Sequence, residues 1–214
     1  MSELSEFLSQ WWPALLAFFV GATPFGFLAG KMKGIDIRDH GSGNIGATNV
    51  LRTLGKPIGI TVLVLDIFKG MIPVIIAKSV SDSSSLHIAT AITAILGHNY
   101  TFWLKFKGGK GIATTAGAVI PILTIPILVA IATWLLFLKL TRYVSVASIA
   151  AALAIPITLS IQNLVSGQWD RVVFGLAAFV CLLAIWKHRA NIQRLRRGEE
   201  NRFAPKSSSS KTPS

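Results

Sequence analysis

Acidic side chains are scarce in this chain. Only nine of its 214 residues are Asp or Glu, and charged residues of both signs make up 14%. A soluble domain carries about 25% charged residues, so the deficit argues against a surface facing water on all sides. The carboxylates are also scattered: only Asp36, Asp39 and Asp66 fall near the glycine-rich stretches described below. No cluster suited to Mg²⁺ forms, which argues against metal-assisted chemistry and against the aspartate-rich CDP-alcohol type of phospholipid synthase. No metal and no cofactor are expected. His-Glu-x-x-His is absent, and so is a His-x₄-Asp pair, since His40, His98 and His188 are followed five positions later by Ile45, Trp103 and Gln193. The single cysteine, Cys181, sits inside AAFVCLLAIW with no disulfide partner or metal-ligand spacing, and reads as a packing residue. No internal repeat is visible, so the inverted-repeat signature of many transporters is missing.

Apolar residues are abundant, at 52%. They fall into six stretches, 11–30, 57–77, 86–104, 112–138, 143–161 and 170–186, close to the roughly 20 residues that span a bilayer. The fourth is too long for one straight span, and Pro121 and Pro126 bracket ILTI in its middle, where they break or kink a helix. Charge decides how to divide it. With two spans there, 112–122 and 125–138, the segments 31–56, 105–111, 139–142 and the tail from 187 share one side and hold 18 of the 21 Lys and Arg residues. Lys78 and Arg171 fall on the other side, and Lys69 lies within a span. Six spans would destroy this bias. The positive-inside rule therefore predicts an all-α polytopic membrane protein of seven transmembrane helices, N-terminus periplasmic or extracellular and C-terminus cytoplasmic. Glu3 and Glu6, with no basic residue nearby, are not the start of a typical cleaved signal peptide. Residues 1–203 read as one domain, and 204–214, APKSSSSKTPS, as a disordered tail. The net charge of +12 then reports membrane topology, and no nucleic acid partner is expected.

Residues 41–49, GSGNIGATN, contain a literal G-x-G-x-x-G at Gly41, Gly43 and Gly46, with Asp66 twenty residues further on. A dinucleotide-binding turn needs a strand before the glycines and a helix and parallel sheet after them. Here KGIDIRDH precedes, a span begins near residue 57, and Asp66 lies inside that span, so the dinucleotide reading fails. Glycines still let backbone N–H groups approach an anion. Ser42, Asn44, Thr48 and Asn49 add short polar side chains, and Arg52 a fork suited to phosphate. A polar turn between spans is the alternative. A second basic glycine stretch, KFKGGKG at 105–111, faces the same compartment with Lys107, Gly108, Gly109, Lys110 and Gly111, followed by the N-terminus of a helix near Ile112. It lacks the Walker A spacing, and simple anchoring at the membrane edge explains its lysines equally well. In WKHRANIQRLRR, His188 and Asn191 are i and i+3 on one helix face, turned to the same pocket or to lipid headgroups. Ser145 and Ser148 have the same spacing at the start of the sixth span. Asp66 and Lys69 are i and i+3 within the second span, where they pair with each other or line a cavity. His98 lies at the cytoplasmic end of the third, within reach of the glycine loops or simply satisfied in the core.

Taken in order, GSGNIGATNVLRTLGK, LDIFKG, GHNYTFWLKFKGGKGIAT, RYVSVAS and HRANIQRLRRGEENRF closely resemble the bacterial acyl-phosphate:glycerol-3-phosphate acyltransferase family, from about Gly21 to Phe203. The resemblance implies seven spans in the bacterial inner membrane and an active site facing the cytoplasm. It also implies transfer of an acyl group from acyl phosphate to the 1-hydroxyl of glycerol 3-phosphate, giving lysophosphatidic acid at the start of phospholipid synthesis. By the same resemblance Ser42, Arg52, Lys110 and His188 are catalytic. Gly43, Asn44, Thr48, Asn49, His98, Lys107, Gly108, Gly109, Gly111, Ser145, Ser148 and Asn191 bind the substrates. The bilayer is a partner, as is the soluble enzyme that makes the acyl phosphate, docking transiently. Many members carry an acidic residue where Ala190 stands, and the first span here has a Thr23-Pro24 pair; both lie beside the matched motif residues. A transporter or exchanger of small organophosphates is the alternative for the same loops.

Overall fold

The computed structural model describes residues 3–203; the tail at 204–214 lies outside them. The described residues are helical and contain no strand. The expected first span is broken in two, α1 (Glu3–Ala22) and α2 (Phe25–Met32). Pro24 brings no N–H to an α-helical ladder, and the carbonyls freed at the break find side chains instead. Thr101 Oγ1 donates to the Ala22 carbonyl at 2.5 Å, and Lys69 Nζ to that of Thr23 at 2.7 Å.

A short helix, α3 (Ala47–Leu54), follows the first glycine loop and leads into α4 (Lys56–Val80). Next comes α5 (Ser84–Asn99), which ends before the apolar stretch does because a 3-10 turn occupies Phe102–Leu104. The long fourth stretch divides as its prolines suggest, into α6 (Ile112–Val119) and α7 (Thr124–Thr141). Then come α8 (Val144–Ser166), α9 (Arg171–Lys187) and α10 (Arg189–Arg197), the last two meeting at a 50° bend. Among the described residues four segments are long and apolar enough to cross a bilayer: Ser9–Met32, α4, α7 and α8, with α9 and α10 a fifth if taken as one bent span. At 1.5 Å per residue α6 is only about 12 Å long, well short of the roughly 30 Å hydrocarbon core.

Large apolar side chains point outward along these helices, among them Phe19, Ile72, Leu128, Ile157 and Leu182. That is the expected surface where the solvent is lipid. Inside, α1 packs on α5, α4 on α6 and α7 on α8. The first two crossings are made close by paired glycines. A Cβ on Gly97 would strike the Phe18 carbonyl, and one on Gly21 the Ala94 carbonyl; Gly70 and Gly117 stand in the same relation to Thr114 and Ile67. In lipid such small-residue contacts let backbones pack where no hydrophobic drive brings helices together. Within α4, Lys69 Nζ lies 2.7 Å from Asp66 Oδ1, the intramembrane pairing expected from their spacing. Cys181 is buried and unpaired, as a packing residue should be.

Substituting Gly97→Val should cost about 2 kcal/mol or more by overpacking the α1–α5 crossing and lower the thermal midpoint in detergent. Gly175→Ala, inside α9 where an added Cβ meets nothing within 4 Å, should keep or slightly raise the midpoint, because alanine loses less backbone freedom in a helix.

Candidate active site

Three chain segments far apart in sequence meet around one cavity of about 410 Å³. The first is the loop before α3. Gly41 and Gly43 hold φ of +60° and +70°, a left-handed backbone that glycine adopts without steric cost. Asn49, only 1% exposed, staples this loop from inside. Its Nδ2 donates to the carbonyls of Ile37 at 3.1 Å and His40 at 2.9 Å, and its Oδ1 accepts the Ser42 N–H at 2.8 Å. Asn49 therefore holds the loop in shape with all of its polar atoms. Asn44 does a similar job locally, accepting the Gly46 N–H at 2.8 Å. Ser42, Thr48 and Arg52 line the cavity, and Arg52 Nη2 donates to the Asn201 carbonyl at 3.2 Å.

The second segment is the glycine stretch before α6. Gly108 and Gly109 pack directly on His98: the Gly109 N–H donates to the His98 carbonyl at 3.1 Å, and a Cβ at Gly109 would collide with the imidazole. They support the loop from behind and leave Lys110 and Gly111 on the cavity wall. His98 is 5% exposed, reaches the cavity, and has Nδ1 3.8 Å from Asp66 Oδ1.

The third segment is the α9–α10 bend with the chain that follows. His188 Nδ1 lies 2.8 Å from the Ala184 carbonyl. A carbonyl only accepts, so Nδ1 carries the proton and a neutral ring keeps an Nε2 lone pair. Lys110 Nζ donates to Asn191 Oδ1 at 2.6 Å, Asn191 Nδ2 donates to Glu200 Oε1 at 2.6 Å, and Arg194 Nε donates to Glu200 Oε2 at 2.8 Å. Burial, reinforced by Arg194, Arg52 and Lys187, pulls Lys110 down to about 8, against the raising effect of Glu200. Burial alone would raise the Glu200 carboxyl, but the hydrogen bonds from Asn191 and Arg194 hold it below the ordinary range.

On α8, Ser145 is 3% exposed, and its hydroxyl faces the Glu200 carboxylate without reaching hydrogen-bonding geometry. Ser148 is committed twice. Its Oγ donates to the Val144 carbonyl at 2.8 Å and accepts from Trp134 Nε1 at 3.2 Å. Below these serines the wall turns apolar. About 1.5 Å of rise per residue puts Ile155 roughly 15 Å along α8 from Ser145, and Val180 roughly 12 Å along α9 from His188. Ile127, Ala130 and Ile131 of α7 and Ile67 of α4 complete this arm. The cavity is cationic at one end and greasy at the other.

A model of the glycerol-3-phosphate acyltransferase family matches residues 11–198. The chain belongs to this family. A glycerol-3-phosphate acyltransferase of Desulforudis audaxviator is 45% identical over 190 residues, covering 88% of this chain and 93% of that one. Another, from Geobacter metallireducens, is 47% identical over 187 residues, covering 87% and 94%. Among solved structures, the glycerol 3-phosphate form of PlsY, an integral membrane glycerol 3-phosphate acyltransferase, superposes with a TM-score of 0.83 at 40% identity. The match covers 92% of this chain and 96% of that one; the lysophosphatidic acid form gives 0.81. With no strand among the described residues and long apolar helices, the family member described here is an all-helical membrane protein.

Of the residues singled out from sequence, Ser42, Asn44, Thr48, Asn49, Arg52, His98, Lys110, Gly111, Ser145, Ser148, His188 and Asn191 all border the cavity. Gly43 and Lys107 are exposed, and these two, Gly108 and Gly109 stand off its wall. Arg194, Glu200, Asn201 and Trp134 border it too and were not anticipated. Arg194 had a signal, its i+3 spacing from Asn191; Glu200 had none beyond lying in the quoted GEENRF block.

Lys110 loses its ammonium charge as pH rises through about 8, whereas inorganic phosphate is already mostly dianionic there. Binding of inorganic phosphate, followed by calorimetry, should therefore weaken above pH 8. Lys110→Arg should flatten that dependence.

Proposed function

We propose that this chain transfers an acyl group from an acyl phosphate to the 1-hydroxyl of glycerol 3-phosphate, releasing lysophosphatidic acid and inorganic phosphate. The observation that carries the reading is the single cavity with a cationic end continuous with an apolar arm. Both substrates bring phosphate, and one also brings a hydrocarbon chain. The relatives' shared name and the two PlsY forms support the same acceptor and product.

Arg52 and Lys110 supply charge for phosphate, and Asn191 supports Lys110. The attacking hydroxyl oxygen forms a bond to the acyl carbonyl carbon, and the bond from that carbon to the phosphate oxygen breaks. His188 orients the hydroxyl through Nε2, and the departing phosphate dianion takes its proton. The Ser42 hydroxyl, on the cavity wall, donates to the tetrahedral oxyanion. An acyl phosphate is already activated, so positioning and electrostatic stabilisation suffice and no covalent enzyme intermediate is needed.

We further infer seven membrane crossings, with α5, α9 and α6 completing the count begun by the four long apolar segments; α6, too short to span alone, crosses together with the irregular chain on either side of it. The N-terminus lies outside and the site faces the cytoplasm of a bacterial inner membrane, because the lysine- and arginine-rich segments carry Arg52, Lys110 and Arg194. Exposure on that face lets the soluble producer of acyl phosphate dock transiently.

Purified protein given acyl phosphate and glycerol 3-phosphate should form lysophosphatidate and phosphate in equal amounts. Lys110→Ala should lower kcat/KM by about 10- to 100-fold, the worth of a charge-assisted hydrogen bond. Uptake of labelled glycerol 3-phosphate into proteoliposomes without any lysophosphatidate would mark a transporter instead.

A further inference from the structure

We propose that Glu200 is a positioning residue of this site: its carboxylate fixes the Asn191 side-chain amide so that the amide oxygen holds the Lys110 ammonium. This rests on the acyltransferase reading above.

The chain reverses at the end of α10. Gly198 takes φ +72°, and the Glu199 N–H returns to the Arg194 carbonyl at 2.8 Å, a glycine-terminated helix end that turns the chain back. Residues 199–203 then form a strap across the polar mouth of the cavity. Asn201 meets Arg52 of α3, Arg202 Nε donates to the Tyr143 hydroxyl at 3.0 Å, and the Phe203 N–H donates to the Arg142 carbonyl at 2.6 Å. The strap thus ties α3, α10 and the α7–α8 turn together, and it carries the Glu200 side chain inward until only 6% of it is exposed.

Hydrogen-bond chemistry then makes the carboxylate specific. An asparagine amide can be turned over with little change in shape, and its partners decide which way it faces. An ammonium only donates, so Lys110 requires Asn191 Oδ1. The other end of the amide, Nδ2, requires an acceptor, and an ionised Glu200 is acceptor-only. Its second oxygen is taken by Arg194. A glutamine side chain in its place has one acceptor and one donor. Arg194 claims the oxygen, because charge-assisted bonds are the stronger ones, and the NH₂ is left facing Asn191 Nδ2. To relieve that donor–donor conflict Asn191 turns over and presents NH₂ to Lys110, which loses its acceptor.

Glu200→Gln is therefore a sharper probe than truncation. It should raise the KM for glycerol 3-phosphate about tenfold, as expected for one displaced charge-assisted bond, with kcat changed less than about threefold. The alkaline limb of the pH profile should also move to lower pH. Lys110 then keeps Arg52 of α3, Lys187 of α9, Arg194 of α10 and His188 at the bend as neighbours, but loses its one carboxylate. Pairing Glu200→Gln with Asn191→Asp conserves charge by moving the carboxylate one link along the network. There it accepts both from Lys110 and from the new amide at position 200. The double variant should recover most of the lost KM and return the pH limb. A wild-type KM and pH limb in Glu200→Gln would overturn the proposal, and so would a loss that the double variant leaves unrepaired. Should Glu200→Gln fail to fold, Tyr143→Ala, which removes both the hydroxyl that accepts from Arg202 and the ring beneath its guanidinium while leaving Glu200 in place, should raise KM about two- to threefold; an unchanged KM there overturns the proposal. Wild-type protein that makes no lysophosphatidate would instead defeat the acyltransferase reading.

Discussion

Positive charge is hard to gather at a membrane edge, and the site depends on gathering it. Arg52, Lys110 and Arg194 come from three separate segments and would repel one another in a dry pocket. Their assembly is tolerable because hydrogen bonds join them into one network. Glu200 neutralises Arg194, Asn191 bridges Glu200 to Lys110, and the Asn201 carbonyl accepts from Arg52. A phosphate entering this mouth would meet an excess of positive charge already held in position, which is the preorganisation that the proposed acyl transfer requires.

Below the mouth the demand reverses. An acyl chain needs a wall without donors, and α7, α8 and α9 supply one from alanine, isoleucine and valine. Trp134 stands near the boundary, its indole N–H satisfied by Ser148 so that its ring can face hydrocarbon without an orphaned donor. The two ends stay in register because the helices beneath cannot slide. Reciprocal glycines lock α1 to α5 and α4 to α6, and Lys69 ties α4 to the break between α1 and α2.

The sequence showed much of this and hid some of it for identifiable reasons. Asp66 and Lys69 could be paired by spacing, because one helix turn brings i and i+3 together. The division between α6 and α7 was written in Pro121 and Pro126. The division between α1 and α2 is hidden in the sequence, although Thr23-Pro24 marks it, because the apolar run continues through the break. Length alone gave no warning that α6 is only eight residues long. Among the site residues, polar types in glycine loops do not reveal which way they face: Asn49 turns inward to staple the loop, and Gly108 and Gly109 support His98. Glu200 sits in a polar run beyond the last helix, where periodicity carries no information. Only the reversal at Gly198 brings it to Asn191.

The claim on which all of this turns is that one cavity holds phosphate at its cationic end and the acyl chain in its apolar arm. A lysophosphatidate analogue with a photoreactive chain terminus, cross-linked in a lipid bilayer and mapped by mass spectrometry, tests it directly. Adducts on Ile127 and Ile155, which are 2% and 4% exposed, are the predicted result. Adducts confined to lipid-facing neighbours such as Leu128 and Ile157, at 53% and 57%, would contradict it.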